Sequence, residues 1–491
     1  MSVKQVKTLV CVITYEAEKH IQDTLSRLPA EVWNSGNYHI LVSDDGSTDS
    51  TLEIAKSVLS TYGQRYTLIA VEHNVGYGGN QKLCYQFALE NKFESVILLH
   101  GDGQYAPELV PTFRQHMIDG ADVVLGSRML SRSGAIKGGM PLYKFLGNKI
   151  LTKIQNKLCG SNISEFHTGY RGYRATFLEC IQFELNTDEF HFDTEILIQA
   201  LHYGAKIVEF SIPTHYGSEI CRVPTIRYGI NVLFESLRYR MQVFGLLTSL
   251  KYRHSSIGVY EDRTGDPYSV NSTVLSLLSE TQSSNIEKQH KILDIGCGQG
   301  YLAKQLAAMT FNVTTIDKVA RTTAPGETHI VMDLDLDFWT IDISQYDTVL
   351  ALDIIEHLNS PERFLLDLKS KVGSNHAPLV YLSTPNVAFF LLRLGLFFGR
   401  FSYADRGILD ITHKRLFTSH SLKKLLRETG YEIKSQIGIS APVLPFSRGL
   451  LFRKLAWLSQ ALARLLPRFF AFQFIVIAKP KLTTYRILKN S

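Results

Sequence analysis

The chain has 491 residues, 45% of them hydrophobic and 20% charged. These proportions are ordinary for a globular protein and exclude a disordered or fibrous one, and the length suits two or three domains of about 100–200 residues each. A net charge of +6 over 52 basic and 46 acidic residues gives no ground for a nucleic-acid partner.

No run reaches about 18 uninterrupted apolar residues. The nearest, 387–399, is broken by Arg393, so no membrane span is expected. The N-terminal MSVKQVKTLVCVITY is too short an apolar run for a signal peptide. Cysteines at 11, 84, 159, 180, 221 and 297 form no CxxC pair and no disulfide spacing. That predicts reduced thiols in a cytoplasmic protein.

In chain order, the first 250 residues alternate apolar runs with amphipathic segments. TLVCVITY, YHILVSDD, YTLIAVEHN, SVILLHGD and DVVLGSR each end in polar or glycine-rich residues, and 50–62 and 81–91 carry helical patterning. The alternation predicts a parallel sheet with crossover helices, whose ligands bind beyond the carboxyl ends of the strands. Residues 226–250 are amphipathic and are expected to pack on the core. Residues 251–289 are crowded with Tyr, Ser, Thr, Asn, Gly and Asp, which predicts a linker and a leading helix near Ser272 to Glu280. A second cycle starts at Lys291 with KILDIGCG, NVTTID, YDTVLALD and PLVYLSTP, and FAFQFIVIAKP reads as a closing strand. The expected domains are 1–250 and 290–480, followed by a basic tail at 481–491.

Three strand ends in the first half carry chemistry. Asp44 and Asp45 lie in SDDGSTD. Paired carboxylates on a tight turn can grip ribose hydroxyls and a base N–H, or can simply form a turn with a helix cap. His100, Asp102 and Gln104 lie in HGDGQY. An Asp and a Gln two apart can aim oxygens at one hard cation such as Mg2+, and His100 can approach it. Arg128 ends GSR with a cation suited to phosphate. Between them, Gly76 and Gly78 of NVGYGG let the backbone approach a diphosphate. With TGYRGYR at 168–174 and FDTEI at 192–196, these motifs in this order resemble the GT-A-fold, family-two glycosyltransferases over roughly residues 7–245. The polyprenyl- or dolichol-phosphate mannose synthase branch is the most similar.

That resemblance implies a nucleotide-sugar donor bound by Tyr15, Glu16, Asp44, Asp45, Gly76, Gly78 and His215. It implies a divalent metal, Mg2+ or Mn2+, held by Asp102, Gln104 and His100. Asp102 and Arg128 would be catalytic, Arg128 by meeting the acceptor or a phosphate. The family's DxD reads here His100-Gly101-Asp102, and its tyrosine-asparagine-glutamate opening reads Tyr15-Glu16-Ala17-Glu18. A phosphate acceptor is already ionised and needs no base. A sugar hydroxyl needs one, and Asp193 and Glu195 are the candidates.

In the second half, LDIGCGQG follows an apolar run and opens a helical pattern. Its glycines admit a close ligand, but GxGxG is not the GxGxxG of a dinucleotide site. Asp294, Asp317, Asp333 and Asp353 then mark four successive strand ends. The series resembles class I S-adenosylmethionine-dependent methyltransferases over roughly residues 285–480. The resemblance implies S-adenosyl-L-methionine as cofactor. Asp294, Gly296 and Gly298 would flank its methionine part, with Asp317 on the ribose, Asp333 on the adenine amine and Asp353 closing the pocket. Residues 384–415 resemble an insertion of surface-glycan methyltransferases, an amphipathic helix and a polar turn with Asp410 and His413 that suit a lid. A hydroxyl acceptor needs a base, for which His357 and His413 are the catalytic candidates.

The expected fold class is α/β in two domains, a GT-A nucleotide-sugar-binding fold followed by a Rossmann-like class I methyltransferase fold. The expected function is bifunctional: sugar transfer to a lipid-linked or glycan acceptor, and methylation of a hydroxyl, as on a surface glycan. The alternatives are a glycosyltransferase with a non-catalytic cofactor-binding or docking domain, and a non-enzymatic membrane-surface scaffold. Residues 433–491 hold ten Lys/Arg and no Asp or Glu. RGLLFRKLAWLSQALARLLPRFF within them fits either a peripheral helix on anionic lipid or a basic helix packed on the sheet. The expected location is cytoplasmic, with the inner face of a membrane as the surface such a helix would meet.

Overall fold

The computed structural model describes residues 7–61, 65–131, 135–136, 138–213, 223–243, 247, 249–252, 265–283, 290–323, 325, 327–336, 341–372, 376–404, 406–442 and 450–481. The chain divides into two compact units, one of residues 1–241 with 249–254, the other of 242–248 with 255–491. His215 and Cys221 lie outside the described residues.

The first unit is built on β1 (Thr8–Thr14), β2 (Tyr38–Asp44), β3 (Tyr66–Ala70), β4 (Ser95–His100), β5 (Val123–Ser127), β6 (Arg171–Arg174) and β7 (Ile207–Ser211). Their order is β3-β2-β1-β4-β6-β5-β7. β1 reads as a continuous apolar run because both its faces are covered. Leu9, Cys11 and Ile13 pack with Tyr85 and Phe192, while Val10 and Val12 pack with Ile21, Leu25 and Phe113. The expected all-parallel sheet is corrected, since β6 runs antiparallel to both β4 and β5.

One further expectation changes here, and another holds in part. Cys11 on β1 and Cys84 on helix Tyr77–Glu90 form a disulfide, while Cys159, Cys180 and Cys297 are free. Partners 73 residues apart leave no local spacing signal; the packing of the helix on β1 brings them together. Helix Thr225–Val243 packs on the core through Val232 and Tyr239, as expected, but buries only part of its apolar surface. Ile226, Ile230, Phe234 and Leu237 are exposed, while Glu235, Ser236 and Arg240 are buried.

The second unit holds β8 (Lys291–Ile295), β9 (Asn312–Asp317), β10 (Glu327–Val331), β11 (Thr348–Leu352), β12 (Leu379–Pro385), β13 (Tyr431–Ile439) and β14 (Gln473–Pro480). Their order is β10-β9-β8-β11-β12-β14-β13. β14 is antiparallel to both neighbours, so the last run inserts between β12 and β13 instead of closing an edge. Helix Val270–Ser283 lays Val274 and Leu278 against Ile292, Phe311 and Leu350. In both sheets the strand order reverses at one point, between β1 and β4 and between β8 and β11. In open α/β sheets it is at such points, beyond the carboxyl ends of the strands, that ligands bind.

Candidate active sites at the two switch points

At the first switch point the β4 end is locked from behind. The Tyr77 hydroxyl donates to Asp193 Oδ2 at 2.8 Å and lies 3.1 Å from His100 Nε2. Its one proton is on Asp193, so His100 Nε2 must donate, which leaves the Nδ1 lone pair open. Burial pushes the His100 pKa down and keeps the ring neutral. Gly169 is required for this placement, because a Cβ there would come within 2.5 Å of the His100 ring. Asp102 accepts only its own loop's Gln104 N at 3.1 Å among the described bonds.

The remaining expected contacts are distributed unevenly. Asp44 is taken up inside its turn, accepting from Thr14 Oγ1, Ser47 N and Ser47 Oγ at 2.8, 3.0 and 2.6 Å. Asp45 uses one oxygen on Val75 N at 2.7 Å, and burial raises its pKa. Tyr15 is exposed, and Glu16 stands at φ +48, the left-handed region that suits the asparagine of the family pattern better than glutamate. Gly76 and Gly78 face the opposite loop, where added Cβ atoms would meet Asp188 O at 2.5 Å and Thr187 O at 2.3 Å. Their missing side chains thus serve loop apposition. Arg128 is held by the buried Glu165, which also accepts Arg128 N at 2.7 Å and Asn148 Nδ2 at 2.8 Å. Burial works against that carboxylate, but Arg128 draws its pKa below the ordinary value.

The two base candidates are both engaged. Asp193 accepts Tyr77 and Gln81 and faces Arg171 at 3.9 Å. Glu195 is 1% exposed and takes Thr187 N and Lys251 Nζ.

At the second switch point Gly296, Gly298 and Gly300 all have positive φ, and the space above Gly298 is open. Gly298 N donates to Asp317 Oδ2 at 2.9 Å, and Val319 N to the other oxygen at 3.1 Å. Asp294 is buried, and that burial raises its pKa to about 7 even with Arg321 opposing. Asp333 is exposed. Asp353, at φ +51, accepts from the Ser383 hydroxyl on Oδ1 and from Gln473 Nε2 on Oδ2 at 3.1 Å, and its own N–H donates to Ser383 Oγ at 2.9 Å. His357 and His413 stand with ring centroids 4.8 Å apart.

The family model described as glycosyl transferase family 2 matches residues 9–182, and one described as methyltransferase domain matches 268–436. The chain belongs to glycosyl transferase family 2, with a methyltransferase domain following it. An uncharacterized protein of Methanocaldococcus jannaschii is 30% identical over 236 residues, 47% of this chain and 91% of that protein. Polyprenol monophosphomannose synthase of Mycolicibacterium smegmatis is 25% identical over 207 residues, 42% of this chain and 76% of that enzyme. For the second half, ubiquinone biosynthesis O-methyltransferase of Rickettsia akari is 27% identical over 158 residues, 30% of this chain and 61% of that enzyme.

Several residues around these sites escape sequence reasoning. In the glycosyltransferase half, Arg171 is fully buried and gives its guanidinium to the carbonyls of Thr168, Phe166 and Asp193 at 2.7, 2.8 and 2.6 Å. In the methyltransferase half, Arg321 pairs with the buried Glu327 and lies where a Cβ on Gly300 would be, 2.3 Å from it. An arginine in TGYRGYR offers a faint signal for the first. Arg321 offers none, since its partner lies on an edge strand with little patterning.

Proposed function

We propose that the chain transfers a sugar from a nucleotide-sugar donor to a lipid-linked phosphate, and methylates a hydroxyl of a glycan with S-adenosylmethionine. The observation that carries the first half is the engagement of Asp193 and Glu195. With both carboxylates occupied, the crevice suits an acceptor that arrives ionised. The crevice also fits a divalent cation: Asp102, Gln104 and the open Nδ1 of His100 would hold Mg2+ or Mn2+. Such an ion would offset charge on the leaving diphosphate, while Asp45, Tyr15 and Glu16 bind the nucleotide.

The glycine loop at 296–300, with open space above Gly298 and Asp294 and Asp317 beside it, fits S-adenosylmethionine, which supplies an electrophilic methyl group. In this reading His357 and His413, whose rings stand side by side, act on the acceptor hydroxyl. No helix among the described residues is long and apolar enough to cross a membrane. A peripheral contact with anionic lipid is supported by apolar surface instead. Leu142, Tyr143, Leu146 and Ile150 lie exposed on the lysine-rich helix Leu142–Cys159. Trp457 and Leu465 do so on the basic helix Leu450–Leu465.

The test is mass spectrometry of products from the purified chain given a panel of nucleotide sugars, a polyprenyl phosphate and S-adenosylmethionine. A glycosylated lipid phosphate is expected. Absence of transfer from every donor in the presence of Mn2+ would refute the first half, and failure to bind S-adenosylmethionine the second.

A further inference from the structure

Glu356 and His357 follow β11 on the turn that begins at Asp353. His413 comes from the segment 408–415. Two backbone bonds hold these pieces together, Lys414 N and Arg415 N to Glu356 O at 2.9 and 3.0 Å. One ligand atom from each of Glu356, His357 and His413 lies within 4.8 Å of the other two.

The hydrogen bonds fix which nitrogens are open. His413 Nδ1 lies 3.0 Å from the Ile408 carbonyl. A carbonyl only accepts, so Nδ1 carries the proton and Nε2 the lone pair. His357 Nδ1 lies 3.1 Å from Thr412 Oγ1 and 3.3 Å from the Thr412 carbonyl. The Thr412 hydroxyl donates to Asp410 Oδ1 at 2.7 Å, so this Nδ1 also donates and its Nε2 is an acceptor. Anchoring one ring nitrogen on a carbonyl is how histidine ligands to metals are oriented.

Glu356 completes the set. It is 1% exposed; the Thr384 hydroxyl bears on it, but neither carboxylate oxygen meets hydrogen-bond geometry with that hydroxyl or with any other described residue. An unpaired buried carboxyl is costly in either protonation state. The two lone-pair nitrogens cannot donate to it, and a protonated carboxyl that gave its proton to one of them would still leave the other nitrogen and its own carbonyl oxygen unmet. A cation would satisfy all three groups at once.

We propose that Glu356, His357 and His413 bind one divalent transition-metal ion. Two imidazoles and a carboxylate suit Zn2+, Co2+ or Fe2+ better than Mg2+. Tetrahedral coordination places ligand atoms about 3.4 Å apart, so the widest pair closes by at most about 1.4 Å, within the reach of a side-chain rotation. Three protein ligands leave one position open, as catalytic sites do. Resting on the methyltransferase reading, that position takes the acceptor hydroxyl. The ion acidifies it, its proton leaves to solvent, and the oxygen forms the O–CH3 bond as the S–CH3 bond of the cofactor breaks.

The test uses the full chain stripped of metal and titrated with Co2+. One equivalent should give visible absorption that Zn2+ abolishes, because nitrogen ligands in a low-coordinate site intensify these bands, whereas an oxygen-rich site at Asp102 stays pale. Glu356→Gln and His413→Ala should each weaken binding at least about tenfold. Glu356→Gln should leave the apo fold and S-adenosylmethionine binding intact, since it removes a charge that has no partner. A parent chain that takes up no absorbing Co2+, or variants that titrate like the parent, would overturn the site. Absorbing Co2+ in a chain that transfers no methyl group upholds the site and rejects its catalytic use.

Discussion

Asp294 couples folding to pH in the methyltransferase half. Its side chain is 4% exposed at the end of β8, and burial lifts its pKa from 3.8 to about 7. A rise of that size corresponds to about 4 kcal/mol against the ionised form in the folded state. The sign follows from which state holds the proton. Below about pH 4 the carboxyl is protonated in both states and costs nothing. Between pH 4 and 7 the unfolded chain ionises while the folded one keeps its proton, so stability falls by about 1.4 kcal/mol per pH unit. Above pH 7 both are ionised and the loss is complete. Asp294→Asn keeps the shape and removes the titration, so this slope should disappear and the variant should be the more stable above pH 7. The assay is urea unfolding at pH 5 to 8 by tryptophan fluorescence in a Trp33→Phe background, which leaves only Trp339 and Trp457 to report. Equal slopes for parent and variant, or a less stable variant at pH 8, would refute the reasoning. The cofactor supplies a second arm: its cationic methionine part should draw the proton off Asp294. Calorimetry in buffers of different ionisation enthalpy should then show proton release on binding near pH 6, absent in Asp294→Asn.

Three perturbations in the glycosyltransferase half follow from its packing. Asp193→Ala leaves the buried Arg171 without its counter-charge and should cost about 3–5 kcal/mol in urea unfolding, with Asp193→Asn costing less; equal losses would remove the electrostatic account. Gly78→Ala places a Cβ 2.3 Å from Thr187 O, so the melting temperature should drop by several degrees for about 2 kcal/mol, whereas an unchanged melt would show that the two loops part freely. Glu16→Asn should gain about 1 kcal/mol by relieving φ +48, and a loss in denaturant titration would show that the Glu16 side chain matters more than its backbone.

Strands that are buried on both faces were legible, because β1, β2, β4, β8, β11 and β12 present apolar runs ended by polar turns. β13 was not, since Glu432, Lys434 and Gln436 interrupt it on its exposed edge and its place is set by β14. β6 has four residues and two arginines, and only its neighbours β4 and β5 make it a strand. In the sites, residue type and order were readable, while lone-pair direction was not. Asp44 and Asp45 are adjacent and alike in sequence, yet Thr14 and Ser47 bind the first and leave part of the second open. His357 and His413 stood out separately; their convergence on Glu356 depends on the backbone bonds of Lys414 and Arg415.

The same distinction bears on the proposed sugar acceptor. A general base needs an unoccupied lone pair within reach of the hydroxyl it serves. Asp193 is turned toward Tyr77, Gln81 and Arg171, and Glu195 toward Thr187 and Lys251. Recruiting Asp193 breaks bonds that keep the buried Arg171 neutralised, at a cost of the order of 3–5 kcal/mol, or more than a hundredfold in rate, and recruiting Glu195 strips a buried carboxylate from the partly buried Lys251. An ionised phosphate avoids that cost. A polyprenyl phosphate and the corresponding free polyprenol, offered at equal concentration with the same sugar nucleotide, should therefore differ by at least about a hundredfold in turnover. Comparable turnover of the alcohol would mean that a base acts after all, and that the bonds around Asp193 and Glu195 open when substrate binds.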